Sequence, residues 1–278
     1  MHQSQYQHII DRALAEDLGS AGDISSEGAI PSDATAAAHL VARQEGTLAG
    51  LEVARQVFLT IDPATEVRLL KNDGGRVPSG AKLITVAGAS RSLLMAERTA
   101  LNFLGMMSGV ATATARLVAA VAGTNARVAD TRKTLPGLRV LQKYAVRMGG
   151  GINHRFGLFD AVMIKDNHLI AAGGIHPAVE SARGRVGHAV TIEVEVTSIE
   201  QLKELLTVRA DIVLLDNMTP ELLSEAVALV DGQMLTEASG GVTPDTIRAI
   251  AETGVDIISS GWITHSAPNF DVALDFVS

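Results

Sequence analysis

The chain has 278 residues, 47% of them hydrophobic and 19% charged, which is a globular composition with room for one large α/β domain and a smaller partner. A formal charge of −8 and an aromatic content of 3% argue against binding to nucleic acid or to an anionic membrane surface. The absence of cysteine excludes disulfides, thiolate chemistry and cysteine zinc sites. The N-terminus does not read as a secretory signal and no apolar run approaches the ~20 residues that span a bilayer, so we expect a cytoplasmic protein.

The first hundred or so residues predict a mixed α/β unit. Apolar residues at helical spacing predict a helix over 4–18. Short strands bounded by Gly and Pro turns follow it, at 37–42, 65–71 and 82–87. A long helical region then covers 92–121, with a predicted break near Gly105–Gly109.

After residue 125 short β-branched runs alternate with helical patterns. The predicted strands are 127–130, 161–164, 191–196, 211–215, 234–238 and 256–259. Ser198, Thr219 and Thr243 are predicted N-caps, the last two each followed by Pro and an acid. Strands that alternate with helices predict parallel strands, in a barrel or in an open doubly wound sheet.

Polar or glycine-rich residues end all six predicted strands. In a parallel barrel the functional groups collect at these carboxyl ends, so the residues become candidates for one site. They are Thr131, Arg132, Lys133, Lys165, Glu195, Asp216, Ser239, Gly240, Gly241, Ser260, Gly261 and Trp262.

Positive charge is concentrated between residues 127 and 165, where eight Lys and Arg face two Asp in an otherwise acidic chain. Helical spacing predicts that Arg139, Lys143 and Arg147 form a solvated helix face. The remaining candidates lie at strand ends or in the glycine-rich turn 149–157. They are Arg132, Lys133, Arg155 and Lys165. Because Arg offers a planar fork and Lys a point charge, their convergence predicts a polyanionic ligand.

Carboxylates and glycines complete the predicted site. Glu193 and Glu195 point to one face of a strand, where Glu193 is expected in an internal layer of ion pairs. Glu195 and Asp216, nearer the rim, suit sugar hydroxyls or a Mg²⁺ ion carried by phosphates. The glycine-bearing ends 239–241 and 260–261 are typical of a phosphate cradle.

Residues 130–169, DTRKTLPGLRVLQKYAVRMGGGINHRFGLFDAVMIKDNHL, closely resemble the core signature of the quinolinate phosphoribosyltransferase family. Further similar segments, in family order, are 16–26, 43–51, 96–112, 192–196, 212–217 and 237–242. The resemblance covers essentially the whole chain. It implies a type II phosphoribosyltransferase of α/β class, with an N-terminal α/β sandwich domain (1–110) and an incomplete parallel α/β barrel as catalytic domain (111–266). A tail, 267–278, is expected to pack with the first domain.

The resemblance also implies an activity: decarboxylating transfer of phosphoribosyl from phosphoribosyl pyrophosphate to quinolinate, giving nicotinate mononucleotide, pyrophosphate and CO₂ in NAD biosynthesis. It implies that quinolinate is bound by Thr131, Arg132, His154, Arg155 and Lys165, and by Arg98 of the neighbouring subunit. It implies that phosphoribosyl pyrophosphate is held by Lys133, Glu195, Asp216, Ser239, Gly240, Gly241, Ser260, Gly261, Trp262 and His265.

Three further expectations come from the resemblance. Lys133, Glu195 and Asp216 are the expected catalytic residues. Mg²⁺ enters bound to phosphoribosyl pyrophosphate, and no protein ligand for it is predicted. The protein is expected to be a homodimer in which Arg98 reaches the neighbouring subunit's site. Trp262 departs from the family pattern, since a small residue is expected at this point of the phosphate end.

Three alternatives stay open from the residues. The first is a relative of the same fold with another acceptor, such as the molybdenum-locus pyrophosphorylase-like proteins. The second is a Schiff-base aldolase that uses Lys165 as nucleophile. The third is a non-catalytic sensor of phosphorylated metabolites.

Overall fold

The structure is a computed structural model that describes residues 1–277, and it divides into two compact units. The first contains Met1–Ala115, Thr134–Gly150 and the described residues from Thr264 onward. The second contains Arg116–Lys133 and Gly151–Ile263. This division differs from the predicted domain boundaries chiefly at 134–150, which was expected in the barrel domain.

The helices are α1 (Gln7–Leu18), α2 (Ile24–Ala29), α3 (Leu51–Ile61), α4 (Ser90–Ala120), α5 (Arg139–Met148), α6 (Asp166–Ala172), α7 (Ile175–Arg185), α8 (Ile199–Val208), α9 (Pro220–Val230), α10 (Ile247–Glu252) and α11 (Trp262–His265). A 3₁₀ turn, Gln3–Gln5, precedes α1. The strands are β1 (Thr35–Ala42), β2 (Gly46–Thr47), β3 (Glu66–Leu69), β4 (Arg76–Val77), β5 (Lys82–Ala89), β6 (Arg127–Ala129), β7 (Val162–Ile164), β8 (Ile192–Val196), β9 (Ile212–Asp216), β10 (Leu235–Ser239), β11 (Ile257–Ser259) and β12 (Val272–Phe276).

The first unit is built on a four-stranded antiparallel sheet in the order β12-β1-β5-β3. Leu40 of β1 pairs with Ile84 of β5 and with Leu274 of β12. Leu40 and Ile84 are both fully buried, which fixes the register because a one-residue slip would turn them to the other face. The C-terminal strand therefore belongs to the sheet of the first unit.

Helix α5 shows why 134–150 belongs to the first unit. Its Tyr144 hydroxyl donates to Asp73 Oδ2 at 2.8 Å, and Gly149 lies against Thr114 of α4. Lys143 is only 1% exposed, so the prediction of a solvated face through Lys143 is wrong. The helix turns a broader face into the protein than the charge pattern indicated, and only Arg147 is exposed as predicted.

Helix α4 is continuous over 31 residues, so the predicted break at Gly105–Gly109 is wrong. The glycines instead let the C-terminal chain approach the helix, because Phe270 N–H donates to Gly105 O at 2.9 Å and a side chain at Gly109 would collide with the Pro268 carbonyl. By length and composition α4 could span a bilayer, contrary to the expectation from the sequence. Its most apolar window is 61% buried in the protein, as in a core helix.

The second unit is a six-stranded parallel sheet in the order β6-β11-β10-β9-β8-β7, with helices between successive strands. Among the described residues no ladder joins β6 to β7. Ile152 instead bridges Ala129 of β6 in parallel. The α/β class and the incomplete parallel barrel are therefore confirmed.

Two of the three predicted N-caps are confirmed. Ser198 Oγ accepts from Gln201 N–H at 3.3 Å, and Thr219 caps α9 ahead of Pro220. The prediction for Thr243 is wrong, since α10 begins only at Ile247. Thr243 lies in a tight turn that also contains the Pro-Asp pair, and its carbonyl accepts a hydrogen bond from the N–H of Ile247 at 3.0 Å.

Substituting Gly109→Ala tests the account of α4. The new Cβ would collide with backbone at Pro268, so we expect a loss of about 1–3 kcal/mol in the free energy of unfolding. Gly184→Ala in α7 is the matched control, because nothing lies within 4 Å of its Cβ position and alanine favours a helix by about 0.5–1 kcal/mol. Urea unfolding measures both. Equal stability changes in the two variants would contradict the close approach.

Candidate functional site

A cavity of about 450 Å³ lies at the carboxyl ends of the parallel strands in the second unit. Eleven of the predicted site residues line it. They are Thr131, Arg132, Lys133, His154, Arg155, Lys165, Glu195, Asp216, Ser239, Gly240 and Gly241. Residues from separate loops and strands therefore share one concave site, as the strand-end rule predicts.

A neighbouring cavity of about 500 Å³ shares Arg132, Arg155, Met163 and Lys165 with the first. Its other walls are largely apolar, and no carboxylate lines it. The smaller cavity combines the same cations with carboxylates and glycine-rich strand ends, so we take it as the candidate active site.

The guanidinium groups are arranged to receive an anion. Arg155 Nη1 donates to the Ala161 carbonyl at 3.2 Å and Nη2 contacts Met163 Sδ at 3.4 Å, which holds the side chain in place. Burial and then the nearby charge of Arg132 lower the pKa of Arg155. Two such cations in one cavity favour a ligand that brings negative charge between them.

Lys165 and Glu195 form an ion pair within the cavity. Lys165 directly follows β7, and its backbone N–H donates to His168 Nδ1 at 2.9 Å, so His168 serves the start of α6. The lysine side chain is 43% exposed, against 11% for the glutamate. The pair places an ammonium and a carboxylate side by side, where each can turn to a ligand.

The glycine-rich end of β10 is hydrogen-bonded to the residue that follows β9. Asn217 N–H donates to the Ser239 carbonyl at 2.9 Å, and Asn217 Nδ2 donates to Asp216 Oδ2 at 2.7 Å. Gly240 has a φ of 99°, and a side chain there would collide with Asn217. Glycine is thus required at 240 by both conformation and space.

His154 and Glu237 line the cavity and form a largely buried cluster with Glu193. His154 Nε2 lies 3.0 Å from Glu193 Oε2 and 3.5 Å from Glu237 Oε1. The other ring nitrogen, Nδ1, accepts the backbone N–H of Arg155 at 2.6 Å. Burial, followed by the charge of Glu193, raises the pKa of Glu237 to about 7. In the expected ion-pair layer, Glu193 thus lies against the imidazole of His154, and its charge also acts on Arg155.

Sequence reasoning did not single out five lining residues: Met163, Leu214, Asn217, Glu237 and Ser259. A usable signal existed for Glu237, which lies two residues before Ser239 on the same strand and so faces the same side. The same alternation places Leu214 on the side of Asp216.

Five predicted residues are not among those lining the cavity. They are Arg98, Ser260, Gly261, Trp262 and His265. Ser260 is buried, and its hydroxyl donates to the Val242 carbonyl at 3.4 Å, whereas the preceding Ser259 lines the cavity. Gly261 and Trp262 are half-buried, while Arg98 and His265 are exposed. Their assigned roles stay predictions.

Comparison with known proteins agrees with this geometry. The models of the N-terminal and C-terminal domains of quinolinate phosphoribosyl transferase match residues 23–108 and 110–275. A probable nicotinate-nucleotide pyrophosphorylase [carboxylating] of Bacillus subtilis is 40% identical over 275 residues, covering 99% of this chain and 94% of that protein. Its counterpart in Synechocystis is 43% identical over 267 residues, covering 95% and 90%.

Solved structures extend the similarity to three dimensions. The nicotinate-nucleotide pyrophosphorylase of Francisella tularensis superimposes with a TM-score of 0.95 at 40% identity, covering 100% of this chain and 98% of that one. Both domain models and full-length relatives thus match in sequence and in fold. The chain belongs to the quinolinate phosphoribosyl transferase family.

Proposed function

We propose that this protein transfers phosphoribosyl from phosphoribosyl pyrophosphate to quinolinate with loss of CO₂, forming nicotinate mononucleotide and pyrophosphate for NAD biosynthesis. The observation that carries the proposal is a single cavity in which four cations meet two rim carboxylates and a glycine-rich strand end. Relatives that are matched over 94% and 90% of their length are named for this activity. A dicarboxylate and a sugar polyphosphate are the ligands that such a donor set suits.

Arg132, Arg155 and Lys165 hold the two carboxylates of quinolinate in this proposal, with Thr131 beside them. Arginine forks match carboxylates geometrically, and the mutual repulsion of Arg132 and Arg155 is relieved when an anion enters. His154 was predicted as a further direct donor. Because both of its ring nitrogens are engaged by the protein, we assign it a supporting place instead.

The phosphoribosyl part occupies the side of the cavity formed by β8, β9 and β10. Glu195 and Asp216 accept hydrogen bonds from the ribose hydroxyls, and Lys133 contacts the pyrophosphate. The 5′-phosphate is assigned to the ends of β10 and β11, formed by Ser239, Gly240, Gly241, Ser260 and Gly261, together with His265. Trp262, at the start of α11, is proposed to border this end.

The chemistry follows from these positions. The pyridine nitrogen attacks the anomeric carbon, pyrophosphate leaves with the C–O electron pair, and Lys133 stabilises its charge. Glu195 and Asp216 orient the sugar and oppose the positive charge that builds on its ring. The alkylated ring is cationic, so it accepts the electron pair released when the 2-carboxylate leaves as CO₂. A proton from the medium then restores the C–H bond.

We propose that Mg²⁺ arrives as the counter-ion of phosphoribosyl pyrophosphate. The cavity offers hard oxygen donors on a phosphate-binding side, which is compatible with an ion that keeps most of its ligands from phosphates and water. When bound, Mg²⁺ lowers the charge of the leaving group. The protein's own part is to hold the sugar and the phosphates in line.

We also propose a homodimer in which Arg98 serves the partner's site. Arg98 is exposed on α4 and lies outside the lining of its own chain's cavity. In the second unit, Leu158 and Phe159 are 74% and 83% exposed beside the larger cavity. Exposed apolar side chains next to a site are typical of an interface.

The direct assay uses purified protein, quinolinate labelled at the 2-carboxyl group, phosphoribosyl pyrophosphate and Mg²⁺. We expect labelled CO₂ and nicotinate mononucleotide in equal amounts, and no product from nicotinate. Turnover of nicotinate alone would favour a same-fold enzyme with another acceptor. A Schiff-base aldolase is disfavoured, because Lys165 forms an ion pair with Glu195 within the cavity, whereas a Schiff-base nucleophile is the free amine.

Replacing Arg155 tests its proposed role in binding the carboxylates of quinolinate. Loss of a charged hydrogen bond costs about 1.5–3 kcal/mol, so Arg155→Ala is expected to raise KM for quinolinate by about 10- to 100-fold. Arg155→Lys is expected to recover little, since an ammonium cannot reproduce the fork. Arg185→Ala, exposed on α7, is the control. Steady-state kinetics with varied quinolinate measure all three, and an unchanged KM in Arg155→Ala would remove Arg155 from the site.

Mixing two inactive variants tests the shared site. Lys133→Ala is expected to lower kcat by about 10²-fold or more because leaving-group stabilisation is lost, and Arg98→Ala is expected to lower quinolinate turnover comparably. Random exchange of subunits in a two-fold dimer then restores about a quarter of the sites. Lys203→Ala, exposed on α8, controls for the first variant. Recovery of no activity after proven subunit exchange would place Arg98 outside the partner's site.

A further inference from the structure

Two carboxyl groups and one imidazole are packed together beneath the candidate site. The side chains of Glu193, Glu237 and His154 are 3%, 2% and 11% exposed, and one ligating atom from each lies within 4.8 Å of the others. Within residues 1–277, Oε1 of each glutamate has no hydrogen-bond partner. Two carboxylates so placed cannot both carry a charge unless a positive charge or a proton compensates.

The charge of the two glutamates could be balanced by an imidazolium, by a metal ion or by a proton on a carboxyl group. The hydrogen bonds of His154 decide between these three. Nδ1 accepts the N–H of Arg155 at 2.6 Å, so the single ring hydrogen lies on Nε2 and points at Glu193. An imidazolium would place N–H against N–H at Nδ1. A metal ion at Nε2 would need the lone pair there, which moves the hydrogen to Nδ1 and creates the same clash. What remains is a proton on a carboxyl group.

We propose that Glu237 holds this proton at neutral pH and that, with Glu193 and His154, it acts as a positioning residue for Arg155. The substrate side of this inference rests on the proposed function. The cluster orients the imidazole, and the imidazole accepts the Arg155 N–H from the side of the cavity. On the other side, buried Asp130 accepts the backbone N–H of His154 at 2.9 Å. Two hydrogen bonds, one to Asp130 and one to the His154 ring, therefore hold the backbone from which the Arg155 side chain extends.

Glu237 is the better holder of the proton for two reasons. Glu193 is the nearer acceptor of the ring hydrogen, since His154 Nε2 lies 3.0 Å from Glu193 Oε2 and 3.5 Å from Glu237 Oε1, so Glu237 is the carboxyl group without a close bond from the imidazole. Burial and the charge of Glu193 raise the pKa of Glu237 to about 7, against the opposite effects of a positive charge on His154 and of a hydrogen bond with Ser259. A neutral imidazole removes the first of these opposing effects. Asp130 adds a further small upward effect.

Loss of the proton changes the charge beneath the bound substrate. The charged or titratable groups around Glu237 are Glu193, His154 and Asp130 in the cluster, and Arg132, Lys133, Arg155, Lys165, Glu195 and Asp216 in the cavity. Ionisation of Glu237 adds one negative charge where a dianion must bind. If only the protonated form binds well, KM for quinolinate rises about tenfold between pH 6 and pH 8, while kcat changes less.

Glu237→Gln removes the titration and keeps the shape. Wild-type protein binds this proton in the folded state up to about pH 7 but in the unfolded state only up to about 4.5, so its stability falls as pH rises through that window. We expect the melting temperature of Glu237→Gln, relative to wild type, to increase by several degrees from about pH 5 to about pH 8. Glu225→Gln, exposed on α9, should show no such trend. An identical trend in both variants overturns the proposal.

The melting measurement needs no substrate, so it decides the protonation even if the proposed function fails. Where quinolinate is turned over, the pH-dependent rise of KM should be present in wild type and Glu225→Gln and absent in Glu237→Gln. If Glu237→Gln does not fold, Glu193→Gln replaces it. Burial still raises the pKa of Glu237 in that variant, but the loss of the neighbouring charge shifts the pKa, and with it the stability step, to lower pH than in wild type. Stoichiometric divalent metal in the purified protein, lost in Glu237→Gln, contradicts the proposal.

Discussion

The parallel register of the six-stranded sheet is the constraint on which the site depends. Ser239 of β10 lies opposite Asp216 of β9, and Glu195 of β8 lies opposite Leu214. Because all these strands run the same way, the residues after them emerge at one edge, and loops distant in sequence meet in one cavity. A register shift of one residue in any of these strands would turn its functional side chain away.

Charge balance is the second requirement of the site. The chain is acidic overall, yet four cations share one cavity, and such a group is stable only with counter-charge from the protein or from a ligand. Lys165 has Glu195, whereas Arg155 is held by a carbonyl and a sulfur atom beside Arg132. The site therefore accepts dianions readily. Two ionised glutamates beneath it would oppose that preference, and a retained proton on Glu237 lessens the conflict.

Much of the site could be predicted from the sequence because strand ends are local signals. Lys165, Asp216 and Ser239 each stand within a residue of where a strand ends, and the strand-end rule then brings them together. Glu237 lies one position deeper on the same face, where a strand pattern normally places apolar residues, so no polar end marked it. Ser259 and Ser260 show the same limit, since two adjacent serines face opposite sides and the sequence does not say which faces inward.

Features that depend on long-range packing could not be read locally. Gly105 and Gly109 have the appearance of helix breakers, but they serve the approach of the segment 268–270, which is more than 150 residues away in sequence. Lys143 fits a solvated helix stripe by its spacing, and only the three-dimensional packing of α5 shows that it is buried. Both outcomes reflect tertiary contacts that override a local pattern.

A crystal structure of the protein with quinolinate would test the central claim most directly. The account predicts electron density for the pyridine ring in the cavity lined by Glu195 and Asp216, with its carboxylates within hydrogen-bond distance of the Arg132 and Arg155 guanidiniums and of Lys165 Nζ. Quinolinate bound elsewhere, or with its carboxylates turned away from these three cations, would contradict it.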